Sequence, residues 1–268
     1  MQIALLQSEA KVMDLEANLE AVDAAARRAR EDGSDLLLTP ELFTCGYSPD
    51  RVRAELTAAD LDRIAERAAG IARRHGISLV HSTPRIAPDG RWHISARLLD
   101  ATGAEVLAYD KVHLFGAEER RAFAPGSAAP RAVAHGGMLV SLLICYDVEF
   151  PESVRAASDQ GAELLLVPTA LGAGFSAVPR VLVPARALES QVVVAYANHC
   201  GTESGLRMGG ESVVAAADGT LLAHAGEGPE VLCATVDRAA VAAARERVPY
   251  LRDRRPDLYG RWTGCSCS

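Results

Sequence analysis

The sequence predicts an α/β fold, with a mixed sheet or two stacked sheets and helices outside, and three observations carry that prediction. Short apolar runs alternate with helical-period segments along nearly the whole chain. Some strand candidates are joined through helices, as parallel neighbours require, and others by tight turns, as antiparallel hairpins require. The composition is that of a globular protein: of 268 residues, 49% are apolar and 24% charged.

The elements follow in order. Gln2–Gln7 is an apolar run of strand length, too short for the apolar stretch of a secretion signal. Leu15–Glu31 carries apolar residues at helical spacing, with Arg27, Arg28 and Arg30 in its last turns and Gly33 just beyond as a stop. Leu36–Glu41 reads as a buried strand running into a proline-marked loop, Asp60–Arg74 as a second amphipathic helix ended by His75-Gly76, and Ser78–Thr83 as a strand. His93–Leu99 and Glu105–Leu114 flank Asp100-Ala-Thr-Gly103, a hairpin turn. Leu139–Cys145, Leu164–Pro168 and Gln191–Asn198 read as strands separated by helices at Pro151–Gln160 and Pro179–Ser190. Ser212–Ala217 and Thr220–Ala225 form a second hairpin about Asp218-Gly219; Val231–Val236 is the last core strand, and Ala239–Arg247 a helix before a polar tail. No repeat, low-complexity segment or Gly/Ser linker interrupts the series, which predicts one domain over 1–262 and a disordered tail at 263–268.

A net charge of −7 argues against nucleic acid or an anionic membrane as the main partner, and no apolar run approaches the length of a membrane span. The expected location is the cytoplasm. The six cysteines are irregularly spaced, with Cys265-Ser-Cys267 in the expected tail, so neither a disulfide framework nor a zinc site is expected. Of 28 basic residues two are lysine, Lys11 and Lys111. Lysine is a compact charge whose pKa shifts readily on burial, which singles out Lys111 in Tyr109-Asp-Lys-Val-His-Leu114.

Cys145 closes an apolar run and precedes acidic residues and a Pro-Glu helix opening. A thiol there is held by a rigid element, expected to be exposed at the sheet edge near the positive end of a helix dipole, and suited to nucleophilic attack. Glu41 and Lys111 also follow or lie within apolar segments. If those strands lie side by side, the three side chains converge. The carboxylate can then take the thiol proton, the thiolate can attack a carbonyl carbon, and the ammonium can bind the oxyanion. Each residue also has an ordinary structural reading: a helix start, a snorkelling lysine, a packed cysteine. Their joint occurrence favours the chemical one.

Pro40-Glu41-Leu-Phe-Thr-Cys-Gly-Tyr47, Asp110-Lys111-Val-His-Leu-Phe115 and Ile144-Cys145-Tyr-Asp-Val-Glu-Phe-Pro-Glu152 resemble the three catalytic blocks of the nitrilase, or carbon–nitrogen hydrolase, superfamily. The resemblance extends from Met1 to about Trp262 and includes Leu166-Val-Pro-Thr169, Pro184–Glu189, Ala195–Asn198 and Arg254–Tyr259. It implies a four-layer αββα sandwich. It implies Glu41 as general base, Lys111 as oxyanion-binding residue and Cys145 as nucleophile, with the Tyr146 N–H as second oxyanion donor. Glu119, in Glu119-Arg-Arg-Ala-Phe-Ala-Pro-Gly126, matches the family's second glutamate better than its neighbour Glu118, and takes substrate positioning and proton transfer. Tyr47, Tyr146 and Ala170 are assigned to substrate binding on the same ground. Members pair as dimers, through elements like the helices at Pro151–Gln160 and Pro179–Ser190.

His113 is weighed as a papain-like partner of Cys145, since residues two apart on a strand share a face, but the resemblance gives the base role to glutamate and His113 is read as structural. His199-Cys200 lacks further ligands at suitable spacing, so no metal or other cofactor is expected. Arg155, Arg186 and Glu189 are expected to form buried charge pairs beside the site. Tyr146-Asp147 after the nucleophile is similar to the amidase and carbamoylase branches, and the stretches around Lys111, Glu118 and Ala195–Gly201 resemble bacterial R-stereoselective amidases. The reading is therefore a thiol-dependent amidase turning a small carboxamide into acid and ammonia. Alternatives are an N-carbamoyl amidohydrolase, an acyltransferase, or a silent scaffold that binds a metabolite. The loops Phe43–Asp50, Gly116–Gly126 and Leu171–Pro179 are expected to shape the pocket.

Overall fold

The alternation of strands and helices is present in the computed structural model, which describes residues 1–262. The expected disorder of 263–268 concerns residues outside those described. The first half runs β1 (Gln2–Gln7), α1 (Leu15–Glu31), β2 (Leu36–Leu38), α2 (Pro49–Glu55), α3 (Ala58–His75), β3 (Ser78–Ile86), β4 (Trp92–Leu99), β5 (Glu105–Asp110) and α4 (Gly116–Ala122). Then come β6 (Val133–His135), β7 (Met138–Leu142), a 3-10 turn Cys145–Glu149, α5 (Pro151–Asp159), β8 (Leu164–Pro168), a π turn Val178–Leu182 leading into α6 (Val183–Ser190), and β9 (Val193–Ala197). The chain closes with β10 (Thr202–Glu203), β11 (Leu206–Arg207), β12 (Val213–Ala215), β13 (Leu221–His224), β14 (Glu230–Thr235), α7 (Arg238–Arg247), α8 (Tyr250–Asp253) and α9 (Pro256–Trp262).

Two six-stranded sheets share one plan. In the first, β1, β2 and β3 run parallel, flanked by antiparallel β14 on one side and by β4 and β5 on the other. In the second, β7, β8 and β9 run parallel, flanked by β6 and by β12 and β13. The sheets face each other through β1 and β9, and β3 and β8, while α1 and α3 cover the first sheet and α5 and α6 the second. This is the four-layer αββα arrangement. With both faces covered, the central strands are apolar throughout, which is why Leu36–Leu38 and Leu164–Pro168 read as unbroken buried runs. The outer helices bury one stripe each. α1 turns Leu15, Leu19, Val22 and Ala26 inward after an Asp14 cap, and α3 opens on a Thr57–Asp60 capping box and ends at left-handed Gly76.

Several strands stop sooner than their apolar runs, and these departures place the chemistry. β5 ends at Asp110, not Leu114: the Lys111 N–H still reaches Ile94 O (2.8 Å), but Gly126 N–H takes Lys111 O (2.7 Å) and the chain turns away. β7 ends at Leu142, not Cys145, because the Asp147 carboxylate accepts the Ile144 N–H (3.3 Å) in place of a ladder partner. The expected polar tail contains α8 and α9, with Arg254 paired to Asp159 of α5. α2, α4 and the β10–β11 hairpin were not legible as elements.

Two glycines should respond oppositely to alanine. A Cβ at Gly126 would lie 2.4 Å from Asp110 O, whereas at Gly70, inside α3, the nearest atom is Arg73 Nη2 at 4.0 Å. Gly126→Ala is expected to destabilise by about 1–3 kcal/mol and Gly70→Ala to stabilise by about 0.5–1 kcal/mol, read from urea midpoints. Equal shifts of one sign would contradict this packing.

Candidate active site

The parallel strands of both sheets deliver their carboxyl ends to one edge, where open α/β sheets place their ligands. β5, antiparallel to β4, which is antiparallel to β3, regains the direction of the parallel set, so Lys111 emerges at the same edge as Glu41. The strands bearing Glu41, Lys111 and Cys145 are nevertheless not side by side. β3 and β4 separate β2 from β5, and Cys145 follows a strand of the other sheet. Convergence is made by loops meeting across the sandwich: Glu41 N–H donates to Thr169 O at 3.2 Å, joining the loop after β2 to the loop after β8.

At that meeting point Lys111 Nζ donates to Glu41 Oε1 (2.7 Å) and to Glu119 Oε1 and Oε2 (2.7 and 2.9 Å). All three side chains are buried, with Lys111 and Glu41 fully enclosed. One ammonium between two carboxylates leaves a net negative charge out of water. Burial, the largest influence on Glu41, and Glu119 beside it raise its carboxyl to about 7 against the pull of Lys111. Burial works to lower Lys111, but Glu41 and Glu119 outweigh it and hold the amine above its ordinary value, so it is an ammonium. Glu119 is fixed further by Tyr47, whose Oη donates to Oε1 (2.6 Å), and by the Phe115 N–H on Oε2 (2.7 Å). The adjacent Glu118 is exposed. Glu41 Oε2 has no hydrogen-bond partner among the described residues, and the Cys145 thiol lies close enough to act on this carboxyl.

Cys145 differs from its expectation in two respects. It is 6% exposed rather than open at a sheet edge, and its thiol is pushed well above the ordinary range by burial and by Glu41, with Lys111 opposing. It opens a short 3-10 turn, six residues before α5 begins. It also sits at φ 45°, a left-handed conformation that costs a β-carbon residue roughly 1–2 kcal/mol. Such strain aims the side chain away from the line of β7. The Ala170 backbone bonds to the sulfur, while the Tyr146 ring stands edge-on to Phe115 and Phe150, 5.3 and 4.8 Å away.

The supports explain other residues singled out by sequence. The His113 N–H and Nδ1 both contact Asp147 Oδ1 at 2.8 Å, so this histidine ties the Lys111 loop to the Cys145 turn; it is past the end of β5, and the shared-face argument does not apply. Arg186 donates to Val148 O and Glu149 O and pairs with half-exposed Glu189, but Arg155 reaches the Glu189 carbonyl rather than its carboxylate, so the expected buried charge cluster is a set of main-chain clamps. Asn198 brackets Leu171, accepting its N–H and donating to its carbonyl. His199 was wrongly thought to lack a carboxylate: Glu203, four residues on, accepts from Nδ1 at 2.6 Å. That i, i+4 pair is the signal that could have found it, with Glu203 on a strand, β10, of only two residues. Among the described residues, no group of histidine, cysteine, aspartate and glutamate is placed to hold a metal ion.

Comparison with known proteins agrees with this geometry. Residues 2–246 match the family model described as carbon–nitrogen hydrolase. An amidase from Nesterenkonia sp. AN1 is 46% identical, with a TM-score of 0.91 over 98% of this chain and 99% of that one. One variant of it was solved in complex with butyramide (45% identity, TM-score 0.90, 98% and 97% coverage), and another with an acetamide moiety added covalently at the active-site cysteine (45% identity, TM-score 0.91, 98% and 97% coverage). A Pseudomonas protegens protein described as a hydrolase in the pqqF 5′ region is 38% identical over 97% of this chain and 90% of its own length. An (R)-stereoselective amidase of a Pseudomonas species is 31% identical over 98% and 94%.

The raised carboxyl of Glu41 gives a pH test of its contact with the thiol. A base acts only when unprotonated, so alkylation of Cys145 by iodoacetamide should rise with pH through about 7 and then level. In Glu41→Gln that step should vanish, whatever residual rate remains. The same step in both proteins would mean that another group activates the sulfur.

Proposed function

The chain belongs to the carbon–nitrogen hydrolase family, and we propose that it is a thiol-dependent amidase that converts a small carboxamide to its carboxylic acid and ammonia. One observation carries the reading: a buried thiol lies beside a carboxyl raised to about 7, which is itself bonded to a buried ammonium. Those are a nucleophile, a base near neutral pH and an oxyanion donor in one enclosure.

Glu41 takes the proton of Cys145 as sulfur attacks the carbonyl carbon, and the π pair moves onto oxygen. Lys111 has three N–H bonds. Glu41 and Glu119 Oε1 accept two at 2.7 Å, and the longer 2.9 Å contact to Glu119 Oε2 is the one that can turn to the oxyanion. The Tyr146 main-chain N–H is the second donor in this reading. Collapse breaks the C–N bond as Glu41 returns the proton to the departing nitrogen, releasing ammonia and leaving a Cys145 thioester. Water then gives a proton to Glu41 and attacks the thioester; the acid leaves, and the thiol regains its proton. Glu119 holds Lys111 and, with Tyr47, orients the amide; Ala170 lies against the sulfur and borders the acyl group.

Near-complete enclosure of Cys145 supports a short acyl chain. We read residues 1–262 as one catalytic domain working as a cytoplasmic homodimer. The exposed Val181 of the π turn and Leu188 of α6 support pairing there, and the four cysteines among the described residues, all unpaired, suit a reducing compartment. R-stereoselectivity is carried as part of the proposal, by likeness to the Pseudomonas amidase.

Ammonia release should be seen with small carboxamides and be abolished in Cys145→Ala; undiminished release from that variant would sink the mechanism. Release confined to N-carbamoyl compounds would replace the substrate class, and equal rates on the two enantiomers of a 2-substituted amide would remove the stereochemical part. Lys111→Arg should lose about 10²–10³-fold in kcat, because a planar fork cannot stand in for a point charge at the oxyanion. Near-normal turnover there would reduce Lys111 to packing.

A further inference from the structure

His199 and Glu203 lie outside the reacting groups, yet both side chains are fully buried and joined at 2.6 Å. The second ring nitrogen, Nε2, is 2.6 Å from the main-chain oxygen of Glu41. Glu203 also accepts the Ala10 N–H on Oε1 (3.0 Å) and the Tyr47 N–H on Oε2 (2.8 Å). A carboxylate that already receives two main-chain N–H groups acts as an acceptor, and a peptide oxygen is always one. Both ring nitrogens therefore face acceptors, and an imidazole satisfies both only when each carries a proton.

We propose that the His199–Glu203 pair is a positioning element for the reaction: a doubly protonated ring holds the Glu41 main chain, and Glu203 holds Tyr47, so that one buried ion pair sets both carboxylates bracketing Lys111. The peptide it holds is a demanding one. Leu42, immediately after Glu41, sits at φ 53°, in the region favoured by glycine, which has no β-carbon. Without a donor on the Glu41 oxygen that peptide is free to rotate, and the carboxylate goes with it. Tyr47 extends the control to Glu119 through its Oη. Electrostatics run the same way: burial works to lower His199, but Glu203 outweighs it and raises it, while Glu203 is lowered by His199 against its own burial.

The inference rests on Glu41 being the base, and the two can fail separately. The groups facing Glu41 are Lys111, Glu119, Cys145, Tyr47, Tyr196 and His199; those facing His199 are Glu203 and Glu41, with Cys45 and Cys200 near Glu203 and Glu9 near Cys200. Removing the imidazolium charge takes a cation away from Glu41, so the acid limb of kcat/KM should move upward by about one pH unit in His199→Gln, whose amide N–H can still reach the Glu41 oxygen. His199→Leu, with no donor, should lose at least about tenfold in kcat with KM little changed, as expected for misaligned groups. A limb near pH 7 in the wild type that stays put in a folded His199→Gln, together with kcat within twofold in a folded His199→Leu, overturns the positioning role and leaves the base intact. Absence of any such limb in the wild type strikes at Glu41 instead. ¹⁵N-histidine spectra of the wild-type protein decide the charge state without any variant: His199 should carry protons on both nitrogens at about pH 6.5, where a free imidazole is half protonated, and a neutral tautomer there overturns the proposal even if the variants fail to fold.

Discussion

A lysine ammonium buried between two carboxylates is the constraint on which the rest of this molecule depends. Removing either partner of such a pair leaves an unpaired charge in the interior, at a cost of about 3–5 kcal/mol, so Glu41, Lys111 and Glu119 stand or fall together. The excess negative charge is also the source of the chemistry. It keeps Lys111 charged and adds to burial, the larger influence, in lifting Glu41 to about 7 and the Cys145 thiol well above its ordinary range. The thiol is therefore held protonated beside a carboxyl able to take its proton, not as a free thiolate.

The fold exists, in this sense, to bring four loops to that point. Two sheets of like plan each project three parallel strands toward one edge, and the candidate groups come from both. Because no strand carries two of them, their spacing is set by contacts between loops: Glu41 N–H to Thr169 O, Gly126 N–H to Lys111 O, and the two His113 contacts to Asp147. Each is a main-chain or charge-assisted hydrogen bond, which fixes position more tightly than apolar packing does. The strain at Leu42 and Cys145 fits this picture, since both lie where a strand must turn sharply into the site.

How much of this was legible in the sequence follows from what encodes each feature. The boundaries of α1 and β8 were read to the residue because period, caps and apolar runs are local properties. The convergence of Glu41, Lys111 and Cys145 could be suspected from three apolar runs each bearing a reactive residue, and the family resemblance supplied Glu119. What failed was non-local. Lys111 was expected within a strand because nothing in Tyr109–Leu114 announces that Gly126 will claim its carbonyl, and Cys145 was expected exposed because burial depends on the second sheet. His199 stands just before β10 and Glu203 at its end, and a two-residue strand is too short for any periodicity to reveal. Sequence reported where charges stand; the energetic consequence of removing them from water required the enclosure to be seen.

The account stands or falls on a covalent intermediate at one sulfur. Rapid acid quench of the enzyme turning over whichever small carboxamide it hydrolyses, followed by peptide mass mapping, addresses it directly. An acyl mass increment on the peptide bearing Cys145, appearing before steady state and discharged when substrate is exhausted, is the predicted result. Turnover with that peptide unmodified at every quench time, and an acyl mass found on Cys45, Cys200 or on no residue, would contradict it.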